Sequence, residues 1–228
     1  MQEIIDRCEQ KYFLNNEQYK KFLDKVESYL EKDKYFSEKI YNIYFDNDHY
    51  ELINISLDKP LYKEKIRLRS YEVESDNTTV FLEIKKKYRD HTNKRRIIIK
   101  YQDYLNYIEK GILPSCDRQI LKEITYCFER YLLKPKIKVC YDRLSYYLKN
   151  DSSFRITFDN NIQYNFSELA LKASCDDKLL FEDGYIMEFK TFKGIPLWLG
   201  KILNELKIYP TSYSKVGKIM EKEGKKYV

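Results

Sequence analysis

The stretch Lys65-Ile66-Arg67-Leu68-Arg69 alternates a cation with an aliphatic residue through five positions. In an extended strand residues i and i+2 share a face, so the three cations stand on one side and Ile66 and Leu68 on the other. Like charges on one face repel, and they are costly to bury without partners. A solvated edge strand can carry such a face as protection against aggregation. Repetition argues for more than that. Charges keep the same parity in Arg7-x-Glu9-x-Lys11, Glu83-x-Lys85-x-Lys87, Lys94-x-Arg96, Tyr141-x-Arg143, Arg155-x-Thr157-x-Asp159 and Glu188-x-Lys190. Together they predict a sheet curled around a polyanion, with its apolar faces turned against helices.

The chain has 228 residues, 43% of them hydrophobic and 16% aromatic, which is enough for a real core and excludes wholesale disorder. Lys and Arg total 42 against 36 acidic residues, a net +6 that alone says little about partners. The clustering of cations on strand faces says more. The five cysteines are odd in number and form no CxxC pair. With no leader peptide in evidence, they point to free thiols in a reducing cytoplasm. No apolar run approaches the ~20 residues that span a bilayer, so no membrane span is expected.

Periodicity predicts a first strand over Glu3 to Leu14 and a helix over Glu17 to Glu31, capped by Asn15 or Asn16. A second strand over Lys39 to Asp46 and a short helix over Asp48 to Leu57 follow. Tyr62 to Val73 and Thr78 to Tyr88 read as a hairpin. A polar turn at Arg89 to Asn93 leads to a strand over Lys94 to Lys100. A helical insert spans Tyr101 to Leu133, broken at Gly111 and Pro114. Strands resume at Lys136 to Leu148, Phe154 to Tyr164 and Tyr185 to Phe192, and two helices close the chain, Pro196 to Leu206 and Ser212 to Glu223. With no repeat and no Gly/Ser/Pro-rich linker, one α+β domain over residues 1–228 is the economical reading.

Arginine offers a planar fork to phosphate and lysine a compact point charge, so the basic faces suit phosphate chains. Carboxylates within such faces weaken anion binding unless a metal shares the site. Mg²⁺ or Mn²⁺ takes one or two carboxylates plus substrate phosphates. Glu9, Glu83 and Glu188 are the candidate ligands, Glu188 foremost because Met187 and Phe189 face the other way; simple pairing with nearby lysines is the alternative for Glu83. His49 and His91 have no catalytic partners and are expected at the surface. The sequence contains no P-loop, nucleophile elbow, helix-turn-helix or zinc-finger pattern, and nucleic acid is not an expected partner. Trp198 is expected to pack rather than to stack on a ligand.

These segments resemble the VTC domain, the polyphosphate polymerase branch of the triphosphate tunnel (CYTH-like) superfamily. The resemblance rests on RCEQKY (Arg7 to Tyr12), IYFD (Ile43 to Asp46), KPLYKEKIRLRSY (Lys59 to Tyr71) and FLEIKKKY (Phe81 to Tyr88). It continues through KRR (Lys94 to Arg96), YDR (Tyr141 to Arg143), FRITFD (Phe154 to Asp159), IMEFK (Ile186 to Lys190) and PLWLGKILNELKIYPTSYSK (Pro196 to Lys215). The family fold is an antiparallel β-tunnel with a basic interior and helices packed outside. The resemblance implies phosphate contacts from Lys11, Arg67, Arg69, Lys85, Lys94, Arg96, Arg143, Arg155 and Lys215. Tyr141 and Ser214 would assist them, Lys190 would join the phosphate-binding set, and Glu188 would hold Mn²⁺ or Mg²⁺. Ser214 and Lys215 would open the closing helix, where free backbone N–H groups favour phosphate. Arg7 stands where the superfamily's ExExK signature begins with Glu, and Ser212 where eukaryotic relatives carry Lys. The implied type is the stand-alone bacterial one.

The implied reaction is transfer of the γ-phosphoryl group of ATP to a growing inorganic polyphosphate chain, which needs positioning and charge neutralisation and no strong base. A triphosphatase is the enzymatic alternative, with Glu9 or Glu83 positioning water. A non-catalytic polyphosphate-binding module is the other. The acceptor, the preferred metal, the oligomeric state and any protein partner are not legible in the sequence.

Overall fold

A computed structural model describes residues 8–58, 60–89 and 91–224. Arg7 and the start of the expected first strand lie outside the described residues. The chain runs through β1 (Cys8–Leu14), α1 (Asn16–Val26), a 3₁₀ turn (Glu27–Tyr29), β2 (Leu30–Asp46), α2 (Glu51–Leu57), β3 (Tyr62–Ser70), β4 (Thr79–Tyr88) and β5 (His91–Lys100). It continues with α3 (Tyr101–Lys110), α4 (Arg118–Tyr131), β6 (Lys134–Leu148), β7 (Asp151–Asn165), β8 (Lys178–Leu179), β9 (Tyr185–Thr191), α5 (Leu197–Glu205) and α6 (Lys215–Lys222). Among the described residues the nine strands are ordered β1-β9-β7-β6-β2-β3-β4-β5, with β8 added on β7. The strand order ends at β1 and β5, so the sheet is not closed as a barrel. The architecture is α+β, as the alternating pattern predicts.

The chain divides into two compact units. The first comprises the chain up to Glu38 with Tyr141–Ile162 and Phe181–Ser214; the second comprises Lys39–Cys140, Gln163–Leu180 and the chain from Lys215 onward.

In the second unit, Ile43 and Phe45 of β2, Ile66 and Leu68 of β3, Val80, Leu82 and Ile84 of β4, and Ile97 and Ile99 of β5 form one continuous apolar face. Helices α3 and α4 cover it with Tyr104, Tyr107, Leu121, Ile124 and Cys127, all buried. Helix α4 begins where Asp117 accepts hydrogen bonds from the amides of Gln119 and Ile120. At the rim of this face Glu123 of α4 takes Lys86 and Arg95, and Glu64 accepts from the Tyr62 hydroxyl and the Cys127 thiol. A fully buried Lys138 pairs with Asp177 at 2.7 Å, which ties the loop before β8 to β6.

The first unit repeats the scheme. Tyr12 and Leu14 of β1, Phe154, Ile156 and Phe158 of β7, and Met187 and Phe189 of β9 pack against Phe22 and Val26 of α1 and Leu199 and Leu203 of α5. A capping box fixes the start of α1: the Asn15 side chain accepts from the Gln18 amide and the Gln18 side chain from the Asn15 amide. Before β9, Gly184 holds φ at +140°, and a Cβ there would lie 2.6 Å from the Phe13 ring. Trp198 stacks on Tyr29 at 4.4 Å between ring centres, a packing role as expected.

Several expected boundaries shift, among them the starts of α2, β7 and α6 and the end of β3, each by three residues, and two corrections have a clear cause. Helix α1 ends at Val26 rather than Glu31, and Leu30–Glu38 belongs to a 17-residue β2. The helix tightens into the 3₁₀ turn and the backbone becomes extended at Leu30, with ψ 146°, and the polar run Glu31 to Lys34 disguises a strand whose burial does not alternate cleanly. Arg89 is the turn residue, at φ 51°, and β5 starts at His91 rather than Lys94. Both histidines are exposed.

Ile124→Ala should destabilise the fold by about 2–5 kcal/mol, because a fully buried side chain leaves a cavity between α4 and the sheet. Tyr126→Ala, on the exposed side of the same helix, should change stability by less than about 1 kcal/mol. Urea midpoints of the two variants test the packing.

Candidate functional site

The reverse face of the β2–β5 sheet carries the charge. Register places Tyr44, Arg67, Glu83 and Arg96 in one row across four strands, and Lys65, Lys85 and Lys94 in the next. Three lysines thus occupy directly opposed positions, a pairing of like charges that by itself weakens a sheet. Glu83 sits against this concentration of charge with its carboxylate 2% exposed. Its Oε2 accepts from Arg67 Nε at 2.7 Å, and its Oε1 lies 2.6 Å from Lys94 Nζ. Arg67 also donates to the Tyr44 hydroxyl at 3.2 Å. Arg69 Nε donates to Asn42 Oδ1 at 3.0 Å, and Asn42 is itself anchored by donating to the Val139 carbonyl at 3.1 Å.

The titrations follow from this crowding. Burial alone would raise Glu83, but Arg67, Arg69 and Lys94 outweigh it and hold the carboxyl at about 2. Burial would likewise raise Tyr44, yet Arg67, Arg69 and Lys215 bring its phenol down to about 8. Lys94 falls to about 8 because desolvation, aided by repulsion from Arg67 and Arg69, exceeds the pull of Glu83.

The charged face of the first unit has three rows. Glu9, Lys190 and Arg155 align across β1, β9 and β7; Lys11, Glu188 and Thr157 form the second row; Phe13, Ile186 and Asp159 form the third. Arg143 of β6 makes a two-point bond to Asp159, Nε to Oδ1 at 2.5 Å and Nη2 to Oδ2 at 2.7 Å. Tyr141 is buried beneath the Arg143 guanidinium, 5.4 Å from ring centre to Cζ. Arg155 Nη2 pairs with Asp33 at 2.7 Å and donates to Ser145 at 3.3 Å. Lys11 lies 3.4 Å from Glu9 and donates to the Tyr213 carbonyl at 3.3 Å. Glu188 is buried and 2.7 Å from Lys190. Desolvation opposes its charge, but Lys190, Lys11 and Arg143 keep the carboxyl well below the usual range.

The first unit therefore gathers Glu9, Lys11, Tyr141, Arg143, Arg155, Glu188 and Lys190 on its strands, and the second Arg67, Arg69, Glu83, Lys85, Lys94 and Arg96. Helix α6 opens at Lys215, directly after Ser214. Sequence reading missed five partners: Asn42, Tyr44, Asp33, Thr157 and Asp159. Thr157 and Asp159 stood in the alternation without an assigned role. Asp33 gave no signal, because it lies in a polar run between the expected helix and the expected second strand, assigned to neither.

The donor set also tests the expected metal. Among the described residues no three His, Cys, Asp or Glu side chains converge as ligands. Both Glu83 oxygens face cations. Glu188 differs, because Thr157 stands directly opposite it in register and the Thr157 Oγ1 is buried with no hydrogen-bond partner. An ionised carboxylate beside an orphaned hydroxyl is a hard-oxygen pair that fits Mg²⁺ or Mn²⁺ when substrate phosphates complete the shell.

The VTC domain family matches residues 6–222. The chain belongs to this family. The VTC domain also resembles the vacuolar transporter chaperone complex subunit 4 of Schizosaccharomyces pombe, 27% identical over 146 residues. That match spans 54% of the chain and 20% of the relative, so the aligned stretch corresponds to about a fifth of the curated protein. Among solved structures, a candidate adenylate cyclase from Bacillus halodurans shares the fold with TM-score 0.55 at 13% identity, covering 92% of this chain and 97% of that one. A Pyrococcus horikoshii protein superposes at TM-score 0.49 and 17% identity over 96% of this chain and 98% of that one. At such identity the structural likeness concerns the fold alone.

Two outcomes are expected. Raising pH through about 8 removes the Lys94 proton and ionises Tyr44, so both changes make the β2–β5 face less positive. Affinity for tripolyphosphate should fall severalfold between pH 7 and 9, and Tyr44→Phe should flatten that profile. Isothermal titration across pH measures both. Thr157→Val removes a buried hydroxyl that has no partner, and should stabilise the ligand-free protein by about 1 kcal/mol in thermal unfolding.

Proposed function

We propose that this VTC domain is a metal-dependent phosphotransferase that elongates inorganic polyphosphate at the expense of ATP. The observation that carries the reading is the row Lys65, Lys85 and Lys94 beside Arg67 and Arg96, where like charges oppose one another across three strands. Such a concentration of like charge on one face matches a ligand with a negative charge at every repeat.

Phosphoryl transfer asks for alignment and for neutralisation of charge on the equatorial oxygens. An oxygen of the terminal phosphate of the acceptor forms a bond to the γ-phosphorus of ATP, while the bond from that phosphorus to the β,γ-bridging oxygen breaks. ADP leaves with the electron pair. The acceptor oxygen is already ionised, so no side chain has to remove a proton. Arg67, Arg69, Lys85, Lys94 and Arg96 of the second unit, and Lys11, Arg143, Arg155 and Lys190 of the first, are the groups we assign to phosphate oxygens, with Tyr141, Ser214 and Lys215 assisting. Glu83 and Asp159 hold guanidinium groups in fixed orientation before any ligand arrives. Glu188 with the Thr157 hydroxyl would hold Mn²⁺ or Mg²⁺, whose charge draws electron density from the phosphoryl oxygens.

Hydrolysis is the weaker reading. A carboxyl held at about 2 is a poor proton acceptor, so Glu83 is unsuited to activate water. Glu9 remains the candidate for that role, 3.4 Å from Lys11.

The purified protein incubated with ATP, Mn²⁺ and a short polyphosphate primer should yield a ladder of lengthening polyphosphate on a gel. Glu188→Gln and Arg67→Ala should each reduce the rate by at least about 100-fold, the scale of losing one positioned charge at a developing anion. Free phosphate without a ladder would establish a triphosphatase. Tight polyphosphate binding with no turnover would leave a binding module.

A further inference from the structure

The charged face of β3, β4 and β5 is not uniform along its length. Strand parity puts Phe81 and Ile98 on the same face as Glu83, Lys85, Lys94 and Arg96, and register pairs the two directly. Arg69 is opposite Phe81 on the other side. Alternation elsewhere on this face supplies polar or charged residues, yet Ile98 stands there 56% exposed. Phe81 is half-buried, edge-on to Tyr71 at 5.6 Å between ring centres, and the Arg96 guanidinium lies 4.8 Å from the Phe81 ring centre. One end of the face thus combines an exposed aliphatic residue, an aromatic ring and a stacked guanidinium, and the other end consists of lysines.

We infer that Phe81 and Ile98 form the seat for the nucleobase of the nucleoside triphosphate donor. A ligand suited to this face has a flat apolar head and an anionic tail, and the two ends must lie in that order. Aromatic rings and arginine planes stack on bases without regard to hydrogen-bond pattern. Four residue steps along the strand carry Phe81 to Lys85, a span of about 13 Å. That is the scale of an extended nucleotide from its base to its last phosphate, so the γ-phosphate reaches Lys65, Lys85 and Lys94 when the base lies on Phe81 and Ile98. Inorganic polyphosphate, which has no apolar head, makes no use of Phe81 and Ile98. The inference rests on the proposal that ATP is the donor.

The test compares ATP with inorganic tripolyphosphate as ligands, by isothermal titration on the wild-type protein and on Ile98→Thr and Phe81→Leu variants. Ile98→Thr keeps a β-branched residue at an exposed position, so it leaves the strand intact. Both variants should lose about tenfold in ATP affinity, the scale of one stacked base, and keep tripolyphosphate affinity within about twofold. Equal losses for the two ligands, or no loss for either, would overturn the nucleobase seat while leaving the phosphotransfer reading in place. Wild-type protein that binds tripolyphosphate and not ATP would overturn the donor assignment itself, and the seat with it.

Discussion

Cations crowded on one face of a sheet push each other apart, and this repulsion is the constraint around which the molecule is arranged. Lys65, Lys85 and Lys94 oppose one another directly, with Arg67 and Arg96 in the adjoining row. The face is tolerable because a few buried carboxylates are placed among the cations: Glu83 in the second unit, and Glu188, Asp159 and Asp33 in the first. The apolar reverse faces supply the cohesion that the charged faces lack. Each is covered by helices with fully buried aliphatic and aromatic side chains, and burial of that kind contributes about 25 cal/mol per Å².

The carboxylates also set geometry. Arg143 is gripped at two points by Asp159, Arg67 by Glu83 and Tyr44, and Arg69 by Asn42, which is tied in turn to the backbone of β6. A guanidinium fixed in this way loses little further freedom when it meets a phosphate, and charge stabilisation that needs no reorganisation is the most effective kind. The same proximity brings Tyr44 and Lys94 towards neutral pH, so the potential of the β2–β5 face is adjustable within the physiological range.

Much of this was legible in the sequence, because a period of two is a direct statement about faces. Lys65-x-Arg67-x-Arg69 and Glu83-x-Lys85 announced both the strands and the side on which their charges stand. What period two cannot announce is the neighbour. Pairing of Lys65 with Lys85, or of Thr157 with Glu188, depends on register, which turns and core packing determine. Asp33 was illegible because Glu31 to Lys34 is polar throughout, and only pairing with the rest of the sheet makes that segment a strand. Asp46, at the end of IYFD, turned out to cap α2 by accepting from the amides of Leu52 and Ile53, a role visible only once the helix start is known.

The pairing of Glu83 with both Arg67 and Lys94 has a consequence for selectivity. The carboxylate is a resident anion, tethered at high effective concentration to the cations that a ligand would take. Chloride or a single carboxylate from solution offers one charge and meets a competitor that never diffuses away. A phosphate chain brings several charges at once and can engage neighbouring lysines while the tethered group still holds its own partners. On the proposed reading, that difference would filter out simple anions and favour ligands whose charge repeats.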